Sequence, residues 1–337
     1  MKNLKFLLLA LPFFFTSCEK DKIEGPSLNN LYGELTILDS LNVVGDGADF
    51  SVGENIYFTA SFSKQVDWQV KIKGLNSGSV KIISGKSDAI NQSNSTWDGS
   101  STLLPFFIAE DCEVELTFEM HDDTSYSQLN IQGEKEYNEE NTVLITDFEN
   151  NFNPNFTGYF QSGFDMIGPY THPLSTVGAG EGGYYLEQQG EVDWDWLIGY
   201  IDYFSSRWFD NKDNLINDPS KLYFNIMIKG DSTISNSTNL PNSLFKLEFY
   251  EDENDDGDHN ASSEDRYDYE FDVNWNGWRM ISICYNDLLP SNGNSGNGIK
   301  EPSKIFNVRT LLLADPASGF AKADVDFLIW SFGSPIF

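Results

Sequence analysis

Two stretches of this chain gather side chains that could do chemistry. The first runs Glu191-Val192-Asp193-Trp194-Asp195-Trp196 and continues through Tyr200, Tyr203, Arg207 and Trp208. If residues 193–196 are extended, Trp194 and Trp196 share one face and Asp193 and Asp195 the other, because side chains alternate along a strand. Aromatic rings beside carboxylates can bind a sugar: the ring meets its C–H face, and the carboxylates accept from its hydroxyls. Trp208, in the polar run SSRWFDNKDN, and Trp275, in NWNGW, are candidates for the rim of such a surface. The second stretch is D-x-N-x-D-G-D-x-N from Asp252 to Asn260. It sets oxygen ligands at Asp252, Asn254, Asp256 and Asp258 around a turn at Gly257, the spacing of a Ca²⁺ loop. Crowded carboxylates repel one another unless a cation sits among them. Ser263 stands at the twelfth position where such a loop has a bidentate Glu, with Glu264 and Asp265 just beyond it. The flanks, LFKLEFY and RYDYEFDV, read as strands, so the ion would pin a long hairpin; a solvated acidic tip is the alternative.

Catalytic chemistry has less to build on. His121, His172 and His259 are scattered, with no HExxH pair, so neither a histidine zinc site nor a Ser-His-Asp triad is supported. Asp193 with Asp195, or Glu187 with Glu191, could form a glycosidase pair if held roughly 5–9.5 Å apart across a cleft. With 52 acidic residues, such pairs also arise by chance. Cys112 and Cys284 fall in separate strand-like runs and read as buried thiols, not as a disulfide.

Composition narrows the partners. The 337 residues carry 21 Lys and Arg against 52 Asp and Glu, a formal charge of −31. Nucleic acid needs a basic surface and is excluded as a partner. Anionic polysaccharide is repelled in the same way, so a sugar ligand should be neutral. Apolar residues make up 40% and aromatic residues 15%, enough for the cores of the two domains that the length suggests.

The elements that must position these residues are strands throughout. A basic start at Lys2 and Lys5, an apolar run from Phe6 to Phe15 and small residues before Cys18 make residues 1–17 a signal peptide. Residues 18–30 are polar and read as a tether. Residues 31–137 hold short alternating runs such as Ile56-Tyr57-Phe58-Thr59-Ala60 and Val114-Glu115-Leu116-Thr117-Phe118, with turn signals at β-sandwich intervals. The charged stretch EKEYNEEN ends this unit, with residues 138–142 as linker. Residues 143–337 supply about eight further β-branched and aromatic runs and no long amphipathic helix, which predicts a larger second sandwich.

Several segments resemble known families. FFFTSC resembles a bacterial lipoprotein box of the Bacteroidota kind; the resemblance implies cleavage before Cys18, acylation of its thiol and a lipid anchor in the outer membrane. Glu19-Lys20-Asp21 resembles the signals that send such lipoproteins to the outer face. VDWQVKIKGLNSGSVKIISG followed by TWDGSSTLLPFF resembles an immunoglobulin-like domain of flagellar-hook-cap type, which implies a spacer with Trp68 in its core and Trp97-Asp98-Gly99 as a turn. The opening DFE, the closing V-D-F and GWRMISICY resemble galactose-binding-like jelly rolls, the fold of many carbohydrate-binding modules. That resemblance implies a structural Ca²⁺ near Asp147 or Glu149 on the first strand and Asp326 on the last. The expectation is an all-β chain, an immunoglobulin-like β-sandwich followed by a jelly-roll β-sandwich. It would bind neutral polysaccharide at the cell surface for delivery to an uptake system, with a TonB-dependent transporter as partner. A surface glycoside hydrolase and a structural or adhesive surface protein are the rival expectations.

Overall fold

A computed structural model of the chain describes residues 33–137, 141–149, 157–160, 178–191, 196–233, 243–314 and 319–337. The first unit contains β1 (Ile37–Val44), β2 (Ala48–Asp49), β3 (Tyr57–Gly74), β4 (Val80–Ile90), β5 (Asp111–Phe118) and β6 (His121–Gly133). Its strands lie in the order β1-β3-β5-β6-β2, with β4 on β3. The long β3 organises the unit. Phe58, Ala60, Phe62, Trp68, Val70 and Ile72 are buried on one face, and polar residues alternate with most of them on the other, as period-two patterning requires. Cys112, Val114, Leu116 and Phe118 of β5 enter the same core. Trp97 is also core, only 1% exposed, with Phe50 and Phe107 edge-on at 4.9 Å each and its Nε1 donating to the Ser100 carbonyl at 2.8 Å. Gly99 has φ +87° and lies against Phe50, where a Cβ would fall 2.7 Å from the ring, so the Trp-Asp-Gly turn needs glycine there.

The second unit contains β7 (Thr142–Thr146), β8 (Thr157–Phe160), β9 (Gln189–Glu191), β10 (Leu197–Phe204), β11 (Leu222–Gly230), β12 (Ser243–Glu251), β13 (Arg266–Asp272), β14 (Gly277–Cys284), β15 (Leu289–Pro290), β16 (Ile305–Ala314), β17 (Phe320–Lys322) and β18 (Asp324–Phe332). A six-stranded sheet, β15-β13-β12-β16-β10-β8, faces a four-stranded sheet, β14-β11-β18-β7, and all their pairings are antiparallel. The chain passes repeatedly between the sheets, making a jelly-roll β-sandwich. Ile201, Tyr203, Phe245, Leu247, Phe249, Val308 and Leu312 of the larger sheet meet Phe224, Ile226, Ile228, Leu328 and Trp330 of the smaller one. Pro290 sits on the edge strand β15, where its missing N–H takes no bond from the sheet.

The smaller sheet is covered on both faces. Leu144, Met227, Phe327 and Ile329 on its outer side pack with Phe106 of the first unit. Phe106 stacks on Tyr137 at 4.0 Å, and its N–H donates to the Gly180 carbonyl at 2.8 Å. Strand β18 is therefore buried almost throughout, from Asp324 to Ser331. With that side occupied, the outer face of the six-stranded sheet is where polar and aromatic side chains can meet a ligand. Cys112 and Cys284 are both free thiols.

Candidate functional site

Strand register builds the outer face of the large sheet in rows that run across β10, β16, β12 and β13. Asp202 pairs with Arg309, Arg309 with Glu248, and Glu248 with Asp268. Beside this row run Tyr200, Leu311, Lys246 and Glu270, and on its other side Phe204, Asn307, Tyr250 and Arg266. Each of these alternates with a core residue on its own strand, which is why they share the outer face. Polar groups on one strand thus become neighbours of polar groups far away in the chain.

The row is tightly bonded. Arg309 donates to Asp202 through Nε at 2.7 Å and Nη2 at 3.0 Å, and Asn307 Nδ2 donates to the same carboxylate at 2.5 Å. Tyr250 donates to Glu248 at 2.5 Å, while Lys246 bridges Glu248 at 3.0 Å and Asp268 at 2.8 Å. The Arg309 guanidinium carbon lies 3.9 Å from the Tyr200 ring centre and 5.1 Å from that of Tyr250. Burial alone would raise the Glu248 carboxyl, but the hydrogen bonds from Tyr250 and Lys246 outweigh it and hold the group below its usual range. Burial likewise works against the Arg309 charge, and Asp202 outweighs it, so the guanidinium is held more firmly protonated than usual. Glu248 and Arg309 are therefore both held in their charged forms. Tyr200, Arg309, Lys246 and Asp268 are half-exposed, so the row can be reached from solvent. Near one end, a cleft of about 140 Å³ opens between His259, Glu264, Arg266, Ser291 and Asn294.

The structure places the expected ligand residues differently from one another. Tyr200 is on the face. Tyr203, expected beside it, points into the core and is fully buried, because it alternates with Tyr200 and Asp202 along β10. The expectation of an exposed Trp208 is corrected: it is 7% exposed, donates to the Tyr203 carbonyl at 2.9 Å and packs near Trp330. Trp275 is corrected likewise: it is buried, donates to the Ile228 carbonyl and stacks on Phe271. In both cases a main-chain acceptor satisfies the indole N–H and lets the ring enter the core. Arg207 and Trp196 are exposed, the latter just before β10. Asp193, Trp194, Asp195 and Cys18 lie outside the described residues. Glu187 accepts from Tyr185 at 2.9 Å. Sequence reading missed Asp202, Lys246, Glu248, Tyr250, Asp268 and Arg309, whose only signal is a polar or aromatic residue at alternate strand positions.

The acidic hairpin makes the expected turn at Gly257, φ +86°, and its side chains bond to its own backbone. Asp252 accepts from the N–H of Asp256 at 3.1 Å and of Gly257 at 2.8 Å, and Asn254 also accepts from Asp256 N–H. Asp256 and Asp258 accept from the N–H groups of Asp258 and His259. These side chains cap successive backbone donors, as Asx residues in turns do. At the expected jelly-roll position, backbone donors hold the carboxylates. Asp326, fully buried, accepts from the N–H groups of Gly180, Glu181 and Phe327, and Glu149 accepts from those of Gly183 and Tyr184. Between them Glu181 leaves Oε2 buried without a donor. Burial pushes Glu181, Asp326 and Glu149 up, and repulsion from neighbouring carboxylates, Asp147 and Glu134 among them, adds to the rise. That orphaned oxygen and the neighbouring negative charges concentrate unbalanced charge around Glu149, Glu181 and Asp326.

No protein-family model matches the chain, and no curated protein matches it in sequence. Solved structures overlap it loosely. A structure reported for the promiscuous specificity of carbohydrate-binding modules of the β-sandwich superfamily aligns over 89% of this chain and 98% of its own, at 10% identity and a TM-score of 0.33. The solution structure of CtCBM11 aligns over 58% of this chain and 97% of its own, at 15% identity and 0.36. The CBM51-2 and INT domains of Clostridium perfringens ZmpB align over 72% of this chain and 42% of their own, at 10% identity and 0.27. Likeness at these TM-scores is looser than a shared fold.

Proposed function

We propose that the outer face of the six-stranded sheet binds a neutral polysaccharide, and that the protein presents this face at a bacterial cell surface from a lipid on Cys18. The observation that carries the reading is the row Asp202–Arg309–Glu248–Asp268 with Tyr200 over the guanidinium. Paired charges of this kind add little net stability, so the fold alone gives weak reason to keep them. A sugar gives a better one. Each hydroxyl donates one hydrogen bond and accepts others, so a row alternating carboxylate with guanidinium matches vicinal hydroxyls. Tyr200, its ring centre 3.9 Å from the guanidinium carbon, supplies the aromatic edge of the row.

The remaining parts of the reading rest on sequence. FFFTSC and the polar residues 18–30 give the order lipid, tether, first sandwich, binding sandwich. This suits capture outside the outer membrane and handover to a TonB-dependent transporter. A structural Ca²⁺ at Glu149, Glu181 and Asp326 would fix the loop around residue 181. Electrophoresis through gels containing neutral β-glucan, xylan or mannan tests the binding. We expect at least one glycan to retard the protein and Tyr200→Ala to abolish most of that retardation. No retardation across a broad panel, or retardation untouched by Tyr200→Ala, overturns the assignment.

A further inference from the structure

The base of the acidic hairpin holds a second group of carboxylates, which the spacing of the tip does not suggest. Glu251 closes β12 and Asp265 precedes β13, and the Glu251 N–H donates to the Asp265 carbonyl at 3.0 Å. One carboxylate oxygen from each of Glu251, Glu253 and Asp265 lies within 4.8 Å of the other two. Glu251 and Asp265 are 0% exposed, and Glu253 is half-buried. Glu251 Oε1 accepts from Tyr285 at 2.8 Å and from the Glu301 N–H at 2.7 Å, but its Oε2 is buried and accepts nothing. Among the described residues none of the three is in an ion pair. The cations nearby are engaged elsewhere: Lys304 with Asp255, Arg266 with Asp268, and Lys300 with the Asn286 carbonyl.

Around these carboxylates winds the loop 291–301, SNGNSGNGIKE. Asn294 Nδ2 and the Gly298 N–H donate to Asp265 at 2.5 and 2.7 Å, and the Asn297 N–H donates to Glu253 at 3.2 Å. Gly296 rides so close that a Cβ there would fall 2.4 Å from the Asp265 carboxyl carbon. The loop's one large apolar side chain, Ile299, is 61% exposed. No apolar core orders this loop; it is held by the acids it encloses and by bonds to the Arg266 backbone and the Asn286 carbonyl. Carboxylates gathered this closely repel one another, and a cation among them relieves that repulsion. In the bare protein burial pushes Glu251 up to about 8, against the hydrogen bonds from Glu301 and Tyr285 that favour its charge.

We propose that Glu251, Glu253 and Asp265 bind a Ca²⁺ ion that clamps the 291–301 loop to the base of the hairpin. The donor set is all oxygen and anionic, which selects a hard cation. Ca²⁺ accepts six to eight oxygens in irregular geometry, whereas Mg²⁺ demands a near-ideal octahedron. Water and loop oxygens complete the shell. The site is distinct from the hairpin tip, whose acids cap backbone donors, and from Glu149, Glu181 and Asp326.

Trypsin reads the clamp directly, because Lys300 lies within the loop. The mature full-length protein is stripped with EDTA, dialysed, and digested with and without CaCl₂, with cleavage after Lys300 followed by mass spectrometry. Calcium should slow that cut at least tenfold in the wild type. Glu251→Gln and Glu253→Gln should remove the protection and one bound ion by calorimetry, while Asp326→Asn should keep Lys300 protected. Glu253 is half-buried, so its variant serves if Glu251→Gln does not fold. A cut whose rate ignores calcium in the wild type, a Glu253→Gln protein protected as well as wild type, or equal protection by Mg²⁺ at the same concentration overturns the proposal. None of these outcomes depends on glycan binding.

Discussion

Replacing Arg309 by methionine tests whether the charged row serves the fold or a ligand. Asp202 and Arg309 have side chains 7% and 25% exposed and share two hydrogen bonds. Without the guanidinium, Asp202 is a buried carboxylate left with the Asn307 amide alone. Breaking a buried pair from one side costs about 3–5 kcal/mol. Water reaches Arg309 on one side and screens part of this, so about 2–4 kcal/mol is expected in urea unfolding followed by tryptophan fluorescence. At roughly 2–4 °C per kcal/mol for a sandwich of this size, the melting temperature should fall by about 4–16 °C. Adding Asp202→Asn removes the stranded charge and keeps an oxygen for Asn307, so the double variant should recover to within about 1 kcal/mol of wild type. If the row exists for a ligand, that stable double variant still fails to bind glycan. A loss below about 1 kcal/mol for Arg309→Met would refute the burial argument. A stable double variant with full glycan retardation would refute the ligand argument.

Three further outcomes follow from single groups. Glu248 is held below its ordinary 4.5, so the stability it contributes is present above that value and lost as pH falls through the folded value. Wild type should therefore lose more stability than Glu248→Gln on acidification below pH about 4.5, and parallel pH profiles would count against the Tyr250–Glu248–Lys246 network. Glu181 is pushed well up by burial and by Asp326, so Glu181→Gln should raise the melting temperature in EDTA at neutral pH while shrinking the Ca²⁺-induced shift; a variant melting below wild type in EDTA contradicts this. Trp97→Ala empties a site between Phe50 and Phe107 and should cost about 3–5 kcal/mol without changing glycan retardation; reduced retardation in a protein that remains folded would contradict this.

The sequence exposes what is local and hides what is assembled. The alternation of Val70, Ile72, Val114 and Leu116 is enough to see two faces, and the turn chemistry of Trp97-Asp98-Gly99 is visible in three residues. Asp202, Glu248, Asp268 and Arg309 meet only because the strand order is β10-β16-β12-β13, which is not the order of the chain. No spacing within one segment encodes that row. Trp208 and Trp275 mislead for another reason: their polar neighbours suggest exposure, whereas carbonyls of Tyr203 and Ile228 accept their indole protons inside the sandwich. Glu251 and Asp265 could have been paired from the register Tyr250 with Arg266 continued one step toward the tip, but the D-x-N-x-D-G-D pattern draws the eye past them.

Charge distribution carries the argument about the ligand one step further. Across the face, Lys246, Arg266 and Arg309 oppose Asp202, Glu248, Asp268 and Glu270, three positive against four negative, a balance of −1 on a chain of −31. An anionic glycan approaching this protein meets a repulsive field before it meets the face. A cationic one is drawn to the acidic surface at large and finds the face's carboxylates already paired with lysine and arginine. A neutral polyol gains from neither field, but it can bond to the groups of the row that solvent reaches, Arg309 and Asp268, without stranding a charge. On the proposed reading, the near-neutral face on a strongly acidic protein would act as a specificity device, excluding charged polymers by the surroundings and selecting hydroxyls by the site.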